Sequence, residues 1–279
     1  MNIGVRLHDT APGTLEQRLG YAREQGFSCV HLALSKVLPD FSMNDAPRLL
    51  TDALAARVRG ALSANGLDCA VLGCYLKLAG GDAEALERTS AIYRAHLRFV
   101  KKLGASVVGT ETPPAPDLAA DIHSEEALQC FIRCARPLAR CAEEEGVILA
   151  IEPVACHIVN TPERMERVLD ALDSDHVRVI LDAVNLLTRD NYQDAEAIVD
   201  QALARFGDRV CVLHMKDYTV DPDRFMTVAC ACGTGRMRYD RLLRFAAERG
   251  LPMTLENTNP ENAEAARLHL EALAGGLMK

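Results

Sequence analysis

Val147-Ile148-Leu149-Ala150-Ile151-Glu152, Val177-Arg178-Val179-Ile180-Leu181-Asp182, Val210-Cys211-Val212-Leu213-His214 and Met253-Thr254-Leu255-Glu256 are four short runs built to one plan. Each is nearly continuously apolar and ends on a residue able to bind a metal. Runs without polar alternation are expected of parallel strands buried on both faces. Outward from these runs the chain repeats one strand–helix unit eight times. Strands are expected at 2–7, 28–34, 68–74, 105–111, 147–152, 177–182, 209–214 and 252–256. Helices are expected at 14–25, 47–65, 82–103, 124–145, 161–172, 191–206, 239–249 and 261–274, most of them stopped by a glycine. The mean spacing of about 36 residues is that of a βα unit. Strict alternation implies a parallel sheet. Eight units in 279 residues fit an α/β fold of one domain, a single (β/α)8 TIM barrel over residues 1–279. An open doubly wound sheet usually carries a glycine-rich loop after its first strand, and His8-Asp9-Thr10-Ala11-Pro12-Gly13 is not one.

Composition excludes several classes of function. Hydrophobic residues at 49% and charged residues at 25% describe a chain that buries a large core, not a disordered one. A net charge of −8 gives no favourable field for nucleic acid, so no nucleic-acid partner is expected. No apolar run is long enough to span a membrane and the N-terminus runs straight into a strand pattern, so a cytoplasmic protein without a membrane partner is expected. Of the ten cysteines, Cys130, Cys134 and Cys141 fall at helical spacing and Cys29, Cys69 and Cys211 inside strands, and Cys230-Ala-Cys232 reads as small loop residues with a redox or metal pair as its other reading; all ten read as reduced thiols. A homo-oligomer is left open.

Three long loops, 35–46, 112–123 and 215–238, all follow strands and therefore lie on the C-terminal face of a barrel, where active sites are built. On that face Glu152, Asp182, His214 and Glu256 end four consecutive strands and converge on the barrel axis. A carboxylate at a strand end often caps the next helix, and a lone histidine there is often structural. Four such groups crowded together would repel and desolvate one another without a cation. The pattern points to one divalent metal ion. Three carboxylates and one imidazole favour a hard or borderline ion: Mn²⁺ first, with Co²⁺, Mg²⁺, Zn²⁺ and Fe²⁺ able to use the same donors.

The segments Ala150-Ile151-Glu152-Pro153, Ile180-Leu181-Asp182-Ala183-Val184-Asn185, Leu213-His214-Met215-Lys216-Asp217 and Thr254-Leu255-Glu256-Asn257 resemble the metal-ligand strands of the xylose isomerase-like barrels, the sugar phosphate isomerase/epimerase family. The turn from Gly233 to Tyr239 resembles that group's glycine turn. The resemblance implies that Glu152, Asp182, His214 and Glu256 bind the metal and that Glu152 and Glu256 act as an acid/base pair. It implies a metal-dependent isomerase or epimerase of a small polyhydroxy carbonyl compound (a sugar, ketose or inosose), working by proton transfer through an enediolate. A lyase of the inosose dehydratase type would use the same metal site. An endonuclease IV-like nuclease needs extra histidines, and strands three and four offer Tyr75 and Glu111 instead.

Six further residues are expected to contact the sugar or polyol-derived substrate: His157, Lys216, Glu111, Asn185, Tyr75 and His8. His157 lies five residues beyond Glu152, and Asn185 stands where ketose 3-epimerases usually place a histidine. Lys216 carries donors and no lone pair, which suits an anionic or enediolate oxygen, with an ion pair to Asp217 as its other reading. His31 is expected in the core or at the rim, and His96, His123, His176 and His269 at the surface.

Overall fold

The computed structural model describes residues 1–80, 82–112, 121–221, 223 and 226–277. Its elements run β1 (Ile3–Arg6), α1 (Leu15–Glu24), β2 (Cys29–Leu32), α2 (Leu34–Val37), α3 (Ala46–Leu49), α4 (Asp52–Ala64), β3 (Asp68–Gly73), α5 (Ala83–Lys102), β4 (Val107–Glu111) and α6 (Glu125–Glu145). They continue β5 (Ile148–Glu152), α7 (Pro162–Leu172), β6 (Val177–Asp182), α8 (Ala195–Phe206), β7 (Val210–Met215), β8 (Asp217–Asp221), β9 (Met226–Cys230), α9 (Asp240–Arg249), β10 (Met253–Leu255) and α10 (Ala263–Leu277). Strands β1 to β7 and β10 close a barrel in the order β1-β10-β7-β6-β5-β4-β3-β2. All eight pairings are parallel. The fold is a single (β/α)8 TIM barrel.

Local chemistry explains where the elements start. Thr14, Thr51, Asp82, Ser124 and Thr161 each cap a helix by accepting from the backbone N–H three residues on. Thr14 and Gln17 complete a capping box. The helices bury one face each against the strands. On α5 that face is Ile92, Tyr93, His96, Leu97, Phe99 and Val100. His96 is therefore not a surface residue: it is 1% exposed, its Nδ1 lies 2.8 Å from the Ile92 carbonyl, and Phe41 meets its ring edge-on. A capped inner-face position overrides the usual preference of histidine for water.

Two expected helices are broken. The one at 47–65 is split into α3 and α4 because Thr51 takes an extended conformation and caps a new start. The one at 191–206 begins as a 3-10 turn, Tyr192–Asp194, before α8. The loop expected at 215–238 holds an antiparallel ribbon, β8 against β9. Of the loop at 112–123, residues 113–120 lie outside the described residues. Among the described residues no helix is long and apolar enough to cross a membrane. All ten cysteines are free thiols.

Candidate metal and active site

Register turns the strand ends into one layer. Glu111 stands opposite Glu152, Asp182 opposite His214, and Arg6 opposite His31. Inward-facing ends of neighbouring parallel strands thus share a level at the C-terminal mouth. Glu152, Asp182, His214 and Glu256 are between 0% and 8% exposed, and each offers a ligand atom within 4.8 Å of the others. His214 Nδ1 lies 3.1 Å from Glu152 Oε2 and 3.2 Å from Glu256 Oε1. Among the described residues the one other group of this kind is His31 with His214 and Glu256.

These donors fit a divalent cation. Both ring nitrogens of His214 are buried without a hydrogen-bond partner, which is costly unless a cation takes the one lone pair that a neutral imidazole offers. The set is three carboxylates and one imidazole, with no thiolate. Asp182 also does what strand-end carboxylates commonly do. Its Oδ1 accepts from the Val184 and Asn185 amides at 2.9 and 3.1 Å, which fixes the side chain and leaves Oδ2 facing the site.

Electrostatics within the cluster are strong. Burial disfavours charge on His214, but Glu152, Glu256 and Asp182 overcome it and raise its pKa to about 9. Burial, opposed by Lys216, pushes Asp182 up to about 6. Glu256 is held down at about 2 because His214, Lys216 and Arg6 outweigh its burial. Without an ion, three carboxylates are offset by three cations from the chain itself.

Lys216 does not pair with Asp217. Its Nζ lies 3.0 Å from Asp182 Oδ2 and 3.3 Å from Glu256 Oε2, and it donates to Asn185 Oδ1 at 2.6 Å. Asp217 is turned away and spent on backbone. Its Oδ1 accepts from the Tyr218 and Met237 amides at 2.8 and 2.7 Å, and its Oδ2 from Gly233 and Gly235 at 3.1 and 2.9 Å. This buried carboxylate ties the glycine turn to the ribbon. Only glycine fits at 235, where a Cβ would lie 2.3 Å from the Tyr218 carbonyl oxygen. Adjacent residues face opposite ways on an extended strand, so Lys216 and Asp217 cannot share a side.

The other expected substrate residues fall into three groups. His157 and Glu111 come together beside Glu152, with His157 Nδ1 3.7 Å from Glu111 Oε2. Burial, helped by Glu152 and Glu256, pushes Glu111 up to about 7, while burial lowers His157. Asn185 and Tyr75 are engaged by the protein: Asn185 Nδ2 donates to Glu152 Oε1 at 2.6 Å, and Tyr75 OH shares a hydrogen bond with His31 Nε2 at 3.2 Å. His8 sits in a 3-10 turn after β1, 3.7 Å from Asp9.

Sequence reasoning missed Arg6 and Asp9, and it gave His31 no role. Arg6 lies 3.6 Å from Glu256 Oε2 and donates to Asp9 Oδ2 at 2.9 Å. The available signal was an arginine inside the apolar strand Ile3-Gly4-Val5-Arg6, which burial penalises unless it has a purpose.

Comparison with known proteins agrees with this architecture. The sequence model described as "Xylose isomerase-like TIM barrel" matches residues 19–274. No curated protein matches the sequence. Among solved structures, the IOLI protein with a bound zinc atom superposes with a TM-score of 0.73 at 18% identity, covering 99% of this chain and 98% of that one. The 3-keto-D-glucoside 4-epimerase YcjR from E. coli gives a TM-score of 0.75 at 16% identity, covering 98% and 99%. The probable 3-DHS dehydratase AsbF from Bacillus anthracis gives 0.73 at 14% identity, covering 100% and 99%. At these identities the structures share the fold, and the family rests on the sequence match across most of the chain: this protein belongs to the xylose isomerase-like TIM barrel family.

Proposed function

We propose that the protein is a metal-dependent isomerase or epimerase of a small polyhydroxy carbonyl compound. The observation that carries the reading is the convergence of Glu152, Asp182, His214 and Glu256 at the barrel mouth, with the His214 ring nitrogens buried and without a hydrogen-bond partner. These four residues would hold one divalent ion, with Mn²⁺ the first choice for an oxygen-rich set of this kind. When bound, such an ion supplies Lewis-acid polarisation of a carbonyl and its neighbouring hydroxyl, which acidifies the carbon between them.

The chain's own residues supply the rest. Glu152 and Glu256 each bring a carboxylate oxygen to His214 Nδ1, at 3.1 and 3.2 Å. One carboxylate takes a proton from the substrate carbon and the other returns it, to the opposite face or to the neighbouring carbon. Asn185 holds Glu152 Oε1 in place. Lys216 presents an ammonium to the negative charge that develops on the enediolate oxygen, and its charge brings three carboxylates and a divalent ion close to neutrality. Glu111 and His157, beside Glu152 and partly open, are the groups for substrate hydroxyls. The sugar class is supported by the likeness to a 3-keto-D-glucoside epimerase.

A second reading uses the same site. If a β-hydroxyl leaves after proton abstraction, the reaction is a dehydration. The Glu111–His157 pair, with Glu111 near 7, favours this by offering a proton to a leaving hydroxyl, and the likeness to AsbF points the same way. Incubating the Mn²⁺-loaded protein with a panel of keto-sugars and inososes in deuterated water separates the readings. Exchange of one carbon-bound proton without an enone chromophore is the expected result. A new ultraviolet chromophore identifies the dehydratase, and neither signal across the panel refutes both.

A further inference from the structure

A metal-bound histidine usually has its second ring nitrogen fixed by a hydrogen bond, which sets the plane of the ring. His214 lacks this. With Nδ1 turned toward Glu152 and Glu256, its Nε2 is buried and meets no partner among the described residues. Something else must orient the ring. The imidazole of His31, on β2, lies stacked on it with centroids 5.1 Å apart and planes 23° from parallel. His31 is 2% exposed, and its Nε2 shares a hydrogen bond with Tyr75 OH at 3.2 Å.

Two neighbouring strand positions without side chains, Gly73 above all, leave room for Tyr75 against His31. A Cβ on Gly73 would lie 2.8 Å from both His31 Nε2 and the Tyr75 ring, and one on Gly109 would lie 3.3 Å from Tyr75 OH. The β2–β4 side of the barrel contributes none of the four candidate ligands. It is packed instead with a tyrosine–histidine layer that ends against His214.

We propose that His31 and Tyr75 are positioning residues for His214: the stacked imidazole fixes the plane of the ligand ring, and the tyrosine hydroxyl fixes the imidazole. This inference rests on the metal reading of the four-residue cluster. Three single variants test it, with Co²⁺ as the probe: His31→Leu removes the flat ring, His31→Phe keeps a flat ring but no nitrogen, and Tyr75→Phe removes the hydroxyl. Co²⁺ affinity, stoichiometry and visible absorption are measured together with the melting temperature of the metal-free protein.

His31→Leu should weaken Co²⁺ binding by roughly 10- to 100-fold and alter the absorption of the bound ion. His31→Phe and Tyr75→Phe each keep a flat ring at position 31 and lose the same hydrogen bond, so both should fall between the parent and His31→Leu by a similar factor. Tyr75→Phe should have no further effect in the His31→Phe background, because the two groups then no longer share a hydrogen bond. A lower melting temperature with unchanged Co²⁺ affinity and spectrum would make the layer merely structural and overturn the proposal. So would two Co²⁺ per parent chain falling to one in His31→Phe, since His31 would then be a ligand. If His31→Leu does not fold, the Tyr75→Phe and His31→Phe cycle decides by itself. No Co²⁺ uptake by the parent protein would overturn the metal reading and this inference together, whereas normal uptake insensitive to all three changes overturns the inference alone.

Discussion

Replacing Lys216 by methionine probes the site at its most crowded point. The ammonium is 6% exposed and lies 3.0 Å from Asp182 Oδ2 and 3.3 Å from Glu256 Oε2. Methionine fills most of the volume but strands two buried carboxylates and the Asn185 carbonyl oxygen. Removing one member of a buried ion pair costs about 3–5 kcal/mol, chiefly the penalty of the unpaired charge left behind. At roughly 2–3 °C per kcal/mol for a chain of this size, the metal-free variant should melt about 6–15 °C below the parent. A divalent ion should reverse much of this. It would neutralise the stranded carboxylates, so Mn²⁺ should stabilise Lys216→Met more than the parent, and by linkage bind it more tightly, by a factor of ten for each ~1.4 kcal/mol recovered. Activity should move the other way: kcat/KM should fall by about one to three orders of magnitude, as when an oxyanion donor is removed. Calorimetry with and without Mn²⁺, together with proton exchange on the best substrate of the panel, reads all three quantities. A metal-free melting temperature within about 2 °C of the parent, under 1 kcal/mol, would refute the buried ion-pair account. Normal kcat/KM in the fully loaded variant would remove Lys216 from the reaction.

Glu152→Gln and Glu256→Gln should each lower proton exchange by at least about 10²-fold, since an amide cannot carry the proton; Mn²⁺ occupancy is measured alongside, and a loaded variant that keeps most activity refutes the two-carboxylate mechanism. Asp217→Asn should cost about 3 kcal/mol in urea unfolding, because an amide has one acceptor oxygen for four converging N–H groups and hydrogen bonds to a charged acceptor are worth about 1.5–3 kcal/mol each; faster hydrogen exchange at Gly233, Gly235 and Met237 should accompany it, and unchanged unfolding refutes the anchoring role. On the outer surface, the Arg57 guanidinium lowers Glu16 from 4.5 to about 2. A depressed carboxylate stabilises above its unfolded pKa and loses the contribution as pH falls through the folded one. Glu16→Gln should therefore cost a few tenths of a kcal/mol at pH 7, discounted for exposure, and nothing near pH 2; an undiminished cost at pH 2 would refute the ion-pair origin.

How much of this was legible in the sequence depends on the range of the interaction involved. The barrel was legible because its signals are local: apolar runs such as Val147–Ile151, glycines that stop helices such as Gly104 and Gly146, and a regular repeat. The four candidate ligands were visible because each ends a buried strand, where an ionisable group is costly enough to stand out. What the sequence hid is how neighbours divide the work. Lys216 and Asp217 are adjacent and of opposite charge, so pairing them is the natural reading. Yet the pleat sends one into the barrel against Asp182 and the other outward onto the turn around Gly235, 18 residues later. Asn185 looked like a substrate contact, and its amide also bridges Glu152 and Lys216, 33 residues before it and 31 after it, which the chain order does not show. His31 carried no signal at all, because its partners His214 and Tyr75 are set by barrel closure and by the missing side chains at Gly73 and Gly109. In a barrel, chemistry that lies along one strand can be read from the chain, but chemistry that crosses the axis depends on register. The residues that hold a ligand in its plane belong to the second kind.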